Sequence, residues 1–157
     1  MIVTTLIQAS AVRLITEGYL VSRATAALPA TTTGNIFTVT GGRILVVSLV
    51  GEVTTAVQNQ ACTVAIGYAP TVGTGSTTAL GTASSVIAAP IGTHIGFNPG
   101  SATAVDLSTQ AGVSVPSARF LVDAGAITIT TSATNTGSVK WDLIYVPYDT
   151  NVTVAAA

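Results

Sequence analysis

The sequence predicts an all-β fold, an antiparallel β-sandwich of jelly-roll type, and three observations carry that prediction. Thr, Val, Ile and Ala fill the apolar stretches, and β-branched residues fit a pleated, half-buried surface. Strand-like segments recur roughly every ten to fifteen residues, each bounded by Gly, Pro or Asn. No window sustains an apolar stripe at helical spacing, because Gly, Thr and Val interrupt every candidate. A chain of 157 residues is one ordinary domain, residues 1–157, and needs no metal or disulfide staple to hold a core.

Taken in order, Ile2 to Ile7 reads as a first strand. Ala9 to Glu17 has enough length for a turn or two of helix. Val12, Leu14 and Ile15 stand beside β-formers at Tyr19 to Val21, however, and favour a strand there. Tyr19 to Thr25 follows Gly18. Asn35 to Thr40 alternates, with Phe37 and Val39 on one face. Gly41-Gly42 predicts a tight hairpin, since two glycines accept positive φ at both turn positions. Arg43 to Val53 is then one long strand, apolar on both faces, so both faces should be covered. Gln58-Asn59-Gln60 is turn-like. Cys62 to Tyr68 alternates, with Cys62, Val64, Ile66 and Tyr68 on one face.

Between Ala69 and Pro116 the pattern loosens into Gly, Ser, Thr and Ala, broken by Pro70, Pro90, Pro99 and Pro116. Short edge strands at Ser85 to Ala88, His94 to Phe97 and Ala104 to Leu107, joined by contact loops, are expected there. Arg119 to Val122 and Ala126 to Thr130 are strands, the second with Ile127 and Ile129 on one face. Asn135-Thr136-Gly137 is a turn. Ser138 to Val146 gives the clearest pattern: Val139, Trp141, Leu143 and Tyr145 share one face, Lys140 and Asp142 the other. The tail from Tyr148 to Ala157 is a last short strand or an arm, and the first residues are expected to be tied down by contacts as well. About eight to ten strands result, which fits two packed sheets, with a closed up-and-down barrel as the alternative.

Composition narrows the function. Charged residues make up 7% of the chain and hydrophobic ones 48%, against about 25% charged in a typical soluble domain. The longest apolar stretch, Ile44 to Gly51, is far short of the roughly 20 residues of a spanning helix. The low charge instead predicts a surface that is covered in the working state, because a near-neutral surface favours association. Arg13, Arg23, Arg43, Arg119 and Lys140 are the only basic side chains, and they are scattered. Neither nucleic acid nor a membrane is therefore expected as a partner, both needing clustered basic charge. Cys62 is alone and forms no intrachain disulfide. The opening residues lack the basic start of a secretory signal.

Side chains able to do chemistry are few. The acids Glu17, Glu52, Asp106, Asp123, Asp142 and Asp149 show no metal-like or glycosidase-like spacing. His94 is the single histidine, too few for the His-rich sites zinc prefers. Cys62 with His94 is the one conceivable nucleophile and base, but Cys62 falls on an apolar strand face and reads as core. No Gly-x-Ser-x-Gly elbow is present. Gly73-Thr74-Gly75-Ser76 lacks the Lys of a phosphate loop, and Asn151-Val152-Thr153 matches the glycosylation sequon without an export signal. Aromatic residues are 5% of the chain, which argues against a sugar-binding platform. No catalytic, cofactor-binding or metal-ligating residue is predicted, and no enzymatic activity. Arg43 and Glu52 bracket one strand while Lys140 and Asp142 alternate on another. They read as exposed pairs, or as charges that fix register at a subunit contact.

Three stretches carry a resemblance. These are Leu28-Pro29-Ala30-Thr31-Thr32-Thr33-Gly34-Asn35-Ile36-Phe37-Thr38-Val39-Thr40-Gly41-Gly42-Arg43, then Gly51-Glu52-Val53-Thr54-Thr55-Ala56-Val57-Gln58, and finally Gly137-Ser138-Val139-Lys140-Trp141-Asp142-Leu143-Ile144-Tyr145-Val146-Pro147. Together they resemble small structural proteins of tailed bacteriophages, over the first half and the last twenty or so residues. The resemblance implies a capsid decoration, or cement, protein: a β-rich homotrimer on the outer surface of the virion, bound to the major capsid protein and assembled in the bacterial cytoplasm. Other virion parts (a head fibre base, a tail or minor capsid protein) are the alternative, followed by an adhesin or pilus-like subunit. No residue-level role carries over, because the shared stretches are strands and turns.

Overall fold

In the computed structural model, which describes residues 12, 14, 16–73, 77–98, 105–109 and 119–157, twelve strands form two sheets packed face to face. They are β1 (Tyr19–Ala27), β2 (Thr33–Thr40), β3 (Ile44–Thr55), β4 (Thr63–Pro70), β5 (Thr78–Ala79) and β6 (Ser84–Ser85). β7 (His94–Phe97), β8 (Val105–Ser108), β9 (Phe120–Val122), β10 (Gly125–Thr131), β11 (Ser138–Pro147) and β12 (Thr153–Ala156) complete the set. The first sheet runs β1-β11-β3-β7-β8, with β9 also on β3. The second runs β12-β2-β10-β4-β5, with β6 also on β4. Every pairing is antiparallel.

Eight of these strands carry the topology. The order β1-β11-β3-β7 faces β2-β10-β4-β5, so the first strand lies beside the last of the eight and the second beside the seventh. A long antiparallel ribbon rolled up on itself leaves this order, the jelly-roll arrangement expected from the sequence. β6, β8, β9 and β12 are short additions at its margins.

Period-2 alternation sets which side chains meet inside. Val139, Trp141, Leu143 and Tyr145 of β11 are buried, as are Ile44, Val46, Leu49 and Val53 of β3. Opposite them stand Ile36, Phe37 and Val39 of β2, Val64 and Ile66 of β4, and Ile127 and Ile129 of β10. Trp141 is 1% exposed and is the largest fully buried side chain of this layer. Burying such a side chain is worth several kcal/mol in all, and truncating it costs about 3–5 kcal/mol.

Three expectations need correction. Gly41-Gly42 does not close a hairpin: β2 belongs to the second sheet and β3 to the first, so the pair turns a corner between sheets. Gly41 has φ +83°, and a Cβ there would lie 2.5 Å from the carbonyl oxygen of Asn151. The glycine thus serves a left-handed backbone and a close approach to the β11–β12 turn, not strand pairing. Secondly, Val12, Leu14 and Thr16 are helical rather than extended. The Thr16 hydroxyl donates to the carbonyl of Val12, 2.9 Å away and four residues back, a bond that a helical turn offers and a strand does not. Gly18, at φ +105°, then releases the chain into β1.

Thirdly, β3 is covered on one face only. Leu45, Val47 and Val50 are half-exposed, because the second sheet packs against the inner face and no described residue forms a layer over the outer one. Of the two forms expected for the tail, the short strand is found: Thr153–Ala156 pairs with β2 from Thr40 to Phe37. The other segments fall close to their expected bounds. His94–Phe97 has the bounds read from the sequence but is an interior strand between β3 and β8 and not an edge, while Ser84–Ser85 is shorter and Val105–Ser108 is displaced by one residue. Thr78–Ala79 was not foreseen. The strand expected at Ile2 to Ile7 lies outside the described residues.

Candidate functional site

The outer face of the first sheet brings together side chains that the sequence keeps far apart. Register defines its rows. Leu121 of β9 lies beside Leu45 of β3, which lies beside Val146 of β11. In the next row Ile144 of β11 pairs with Leu20 of β1. Leu20 is 54% exposed and Leu121 46%, so this end of the face presents aliphatic surface to solvent. A one-residue bulge at Val47, between Val46 opposite Tyr145 and Ser48 opposite Ile144, keeps Leu49 pointing inward and leaves Leu45 and Val50 outward.

The other end of the same face is polar. Val50, Asp142 and Ser22 form one row, with the Ser22 hydroxyl donating to the Asp142 carboxylate at 2.5 Å. His94, Glu52 and Lys140 form the next. The Lys140 ammonium lies 2.7 Å from the Glu52 carboxylate. That hydrogen bond holds the Glu52 carboxyl below its usual range and raises the Lys140 ammonium above its own. The His94 Nδ1 atom is buried beside this ladder and has no protein hydrogen-bond partner among the described residues. An aliphatic centre beside a charged margin is the anatomy of a protein–protein contact, in which the apolar part excludes water and the charges select orientation.

No protein-family model, curated protein or solved structure matches the chain.

The residues weighed for chemistry do not converge. Cys62 is 1% exposed in the core, with its sulfur facing the Ala133 carbonyl. His94 lies on the outer face of the first sheet, whereas Cys62 is buried between the two sheets, so the first sheet stands between them. Among the described residues no three of His, Cys, Asp and Glu are grouped as metal ligands would be, and no helix is long and apolar enough to cross a membrane. Gly73 occupies a turn at φ +77°, and 74–76 lie outside the described residues. Asn151 of the sequon sits in the tight β11–β12 turn at φ +66°.

At the corner of the sandwich, Arg43 and Asp149 form an ion pair at 2.8 Å, with the guanidinium carbon 4.8 Å from the centre of the Tyr148 ring. Both residues line a shallow cavity of about 390 Å³ together with Asp123 and Val72. The Arg43–Asp149 pair locks the corner. The outer-face rows were missed at the level of sequence because each contributes only one or two aliphatic residues per strand. Period 2 identified the faces, but no local signal states which strands become neighbours.

Proposed function

We propose that this chain is a virion structural protein, a decoration protein that binds the outer surface of a capsid through the outer face of its first sheet. The observation that carries the reading is the aliphatic row Leu121–Leu45–Val146 with Leu20 and Ile144 beside it, in which Leu121 and Leu20 are exposed and the other three half-exposed. On a chain with 7% charged residues, such a face is poorly suited to remain in water. The likeness of three stretches to small tailed-phage virion proteins supports the reading. So, at the level of fold analogy, does the jelly-roll strand order, which recurs in capsid proteins.

The mechanism is mass action. A protein that binds the assembled shell and not its dissociated subunits stabilises the shell by RT ln(1 + [L]/Kd) per site. Short Thr, Ser and Ala side chains lose little rotamer entropy when covered, so the contact sacrifices little on ordering. The major capsid protein is the partner, and three copies arranged about a local three-fold are the assembly.

Quantifying this chain against the major capsid protein in purified particles tests the proposal. A ratio near one decoration trimer per local three-fold position supports it. A few copies per particle would place the chain at a vertex, neck or tail instead, and complete absence from the particle would overturn the reading.

A further inference from the structure

A second feature stands apart from the capsid reading. Between the two sheets, on the side where β1 and β2 approach, lies a pocket of about 290 Å³. Its walls include Arg23 and Ala26 of β1, Pro29, Asn35 of β2, Ile129 of β10 and Trp141 of β11. Two irregularities open this mouth. β1 carries one extra residue between Arg23, opposite Trp141, and Ala26, opposite Val139. β2 carries one at Ile36, since Phe37 pairs with Ile127 and Asn35 with Thr128. A bulge bends the strand that carries it and interrupts its pairing, and such bulges are common beside binding sites.

The polar groups around the mouth are donors. Arg23 sits opposite Trp141, on the inward side of an edge strand. Its Nε donates to the carbonyl oxygen of Ala157 at 2.7 Å, which fixes the guanidinium, and no Asp or Glu among the described residues pairs with it. Trp141 packs its benzo edge on Gly51 of β3: a Cβ there would lie 2.9 to 3.0 Å from Cζ3, Cε3 and Cη2. The opposite edge of the indole, carrying Nε1–H, therefore turns toward β1 and Arg23. That N–H makes no hydrogen bond to another described residue. Asn35 adds an exposed amide.

We propose that this lateral pocket binds a carboxylate, with Arg23 as the charged donor, Trp141 Nε1–H as a neutral donor, and the Pro29, Ala26 and Ile129 side chains covering a short aliphatic stem. A guanidinium held in place by its bond to Ala157, facing no Asp or Glu among the described residues and lying next to apolar surface, matches a carboxylate better than any neutral group. The volume is below the range of drug-sized ligands, so the occupant is a short organic acid or a single Asp or Glu side chain.

Trp141 is the only tryptophan, so its indole N–H resonance reports the site directly. Titration of ¹⁵N-labelled protein with butyrate at constant ionic strength is expected to shift that resonance saturably, whereas butyramide, its neutral counterpart, leaves it in place. Arg23→Gln is expected to weaken the butyrate midpoint by about tenfold or more, the factor carried by one charge-assisted hydrogen bond, with Arg23→Lys in between. A capped peptide bearing one Glu separates the sources: tighter binding than butyrate assigns the pocket to a partner's acidic side chain, weaker binding to a free acid. Equal responses to butyrate and butyramide, or a native-like titration of Arg23→Gln, would overturn the proposal and leave Arg23 as a tie between β1 and the end of β12.

Discussion

Arg43 and Asp149 are joined by three hydrogen bonds: the Arg43 backbone N–H and Nε both donate to one carboxylate oxygen of Asp149, at 2.8 and 2.9 Å, and Nη2 donates to the other at 2.8 Å. One residue lies between the corner at Gly41-Gly42 and the start of β3, and the other begins the turn into β12. The pair thus ties the crossing between sheets to the last connection of the chain, across 106 positions of sequence.

This tie predicts acid sensitivity with a defined sign. Hydrogen bonding from the Arg43 side chain, then from its backbone N–H, holds the Asp149 carboxyl down from 3.8 to about 2. A carboxyl depressed in the folded state contributes stability above its unfolded value, and that contribution is lost as the pH falls toward the folded value. Urea midpoints of the native protein are expected to drop between about pH 4 and pH 2. Asp149→Asn is expected to be less stable at pH 7 and to show a shallower drop over the same interval. An unchanged slope would mean that the pair does not couple folding to pH.

Gly51 is fixed by its neighbour rather than by its backbone. Adding a methyl group there drives it into the Trp141 ring, so Gly51→Ala is expected to destabilise the fold by about 1–3 kcal/mol, the range for overpacking a core. Replacing Trp141 by Leu in the same chain removes the clash. The double variant is then expected to lose less stability than the sum of the two single changes, measured by chemical denaturation. Strict additivity would show that the two side chains do not share one space.

Thr128 illustrates the opposite case. It is 1% exposed, and its hydroxyl oxygen has no protein partner among the described residues. That oxygen lies close against Gly67, where a Cβ would stand 2.8 Å away. Valine has nearly the same shape and no polar atom to strand. Thr128→Val is therefore expected to raise stability by about 1 kcal/mol, read as a higher thermal midpoint. A fall of similar size would show that the hydroxyl is satisfied.

Much of this architecture is legible in the chain itself, and the limits are physical. β11 was clear because Val139, Trp141, Leu143 and Tyr145 alternate with Lys140 and Asp142, a pattern only a strand with one buried face produces. β7 is legible only as one of several short strands in the loose Ala69 to Pro116 region. The wiring was less so. Gly41-Gly42 permits positive φ whether the next strand pairs with the last or crosses to the other sheet, so the dipeptide alone does not distinguish a hairpin from a corner. The aliphatic run of β3 suggests burial on both faces, yet Leu45, Val47 and Val50 on the second face are half-exposed. The rows on that face unite Leu20, Leu45, Leu121 and Ile144, and only the register of four strands makes them neighbours. The Lys140–Glu52 pair has the same origin: each charge was visible, the bond between them was not.

The outer face of the first sheet carries the functional account, and Leu121, exposed on the short strand β9, is the place to test it. Leu121→Lys puts a charge on the aliphatic row at a position that contributes little to the core, so the fold is expected to retain its thermal midpoint. Co-sedimentation with capsids stripped of this chain is the decisive measurement: the native protein is expected to bind saturably and Leu121→Lys to remain in the supernatant. Failure of the native protein to sediment with the shells, or equal binding by a folded Leu121→Lys variant, would contradict the account.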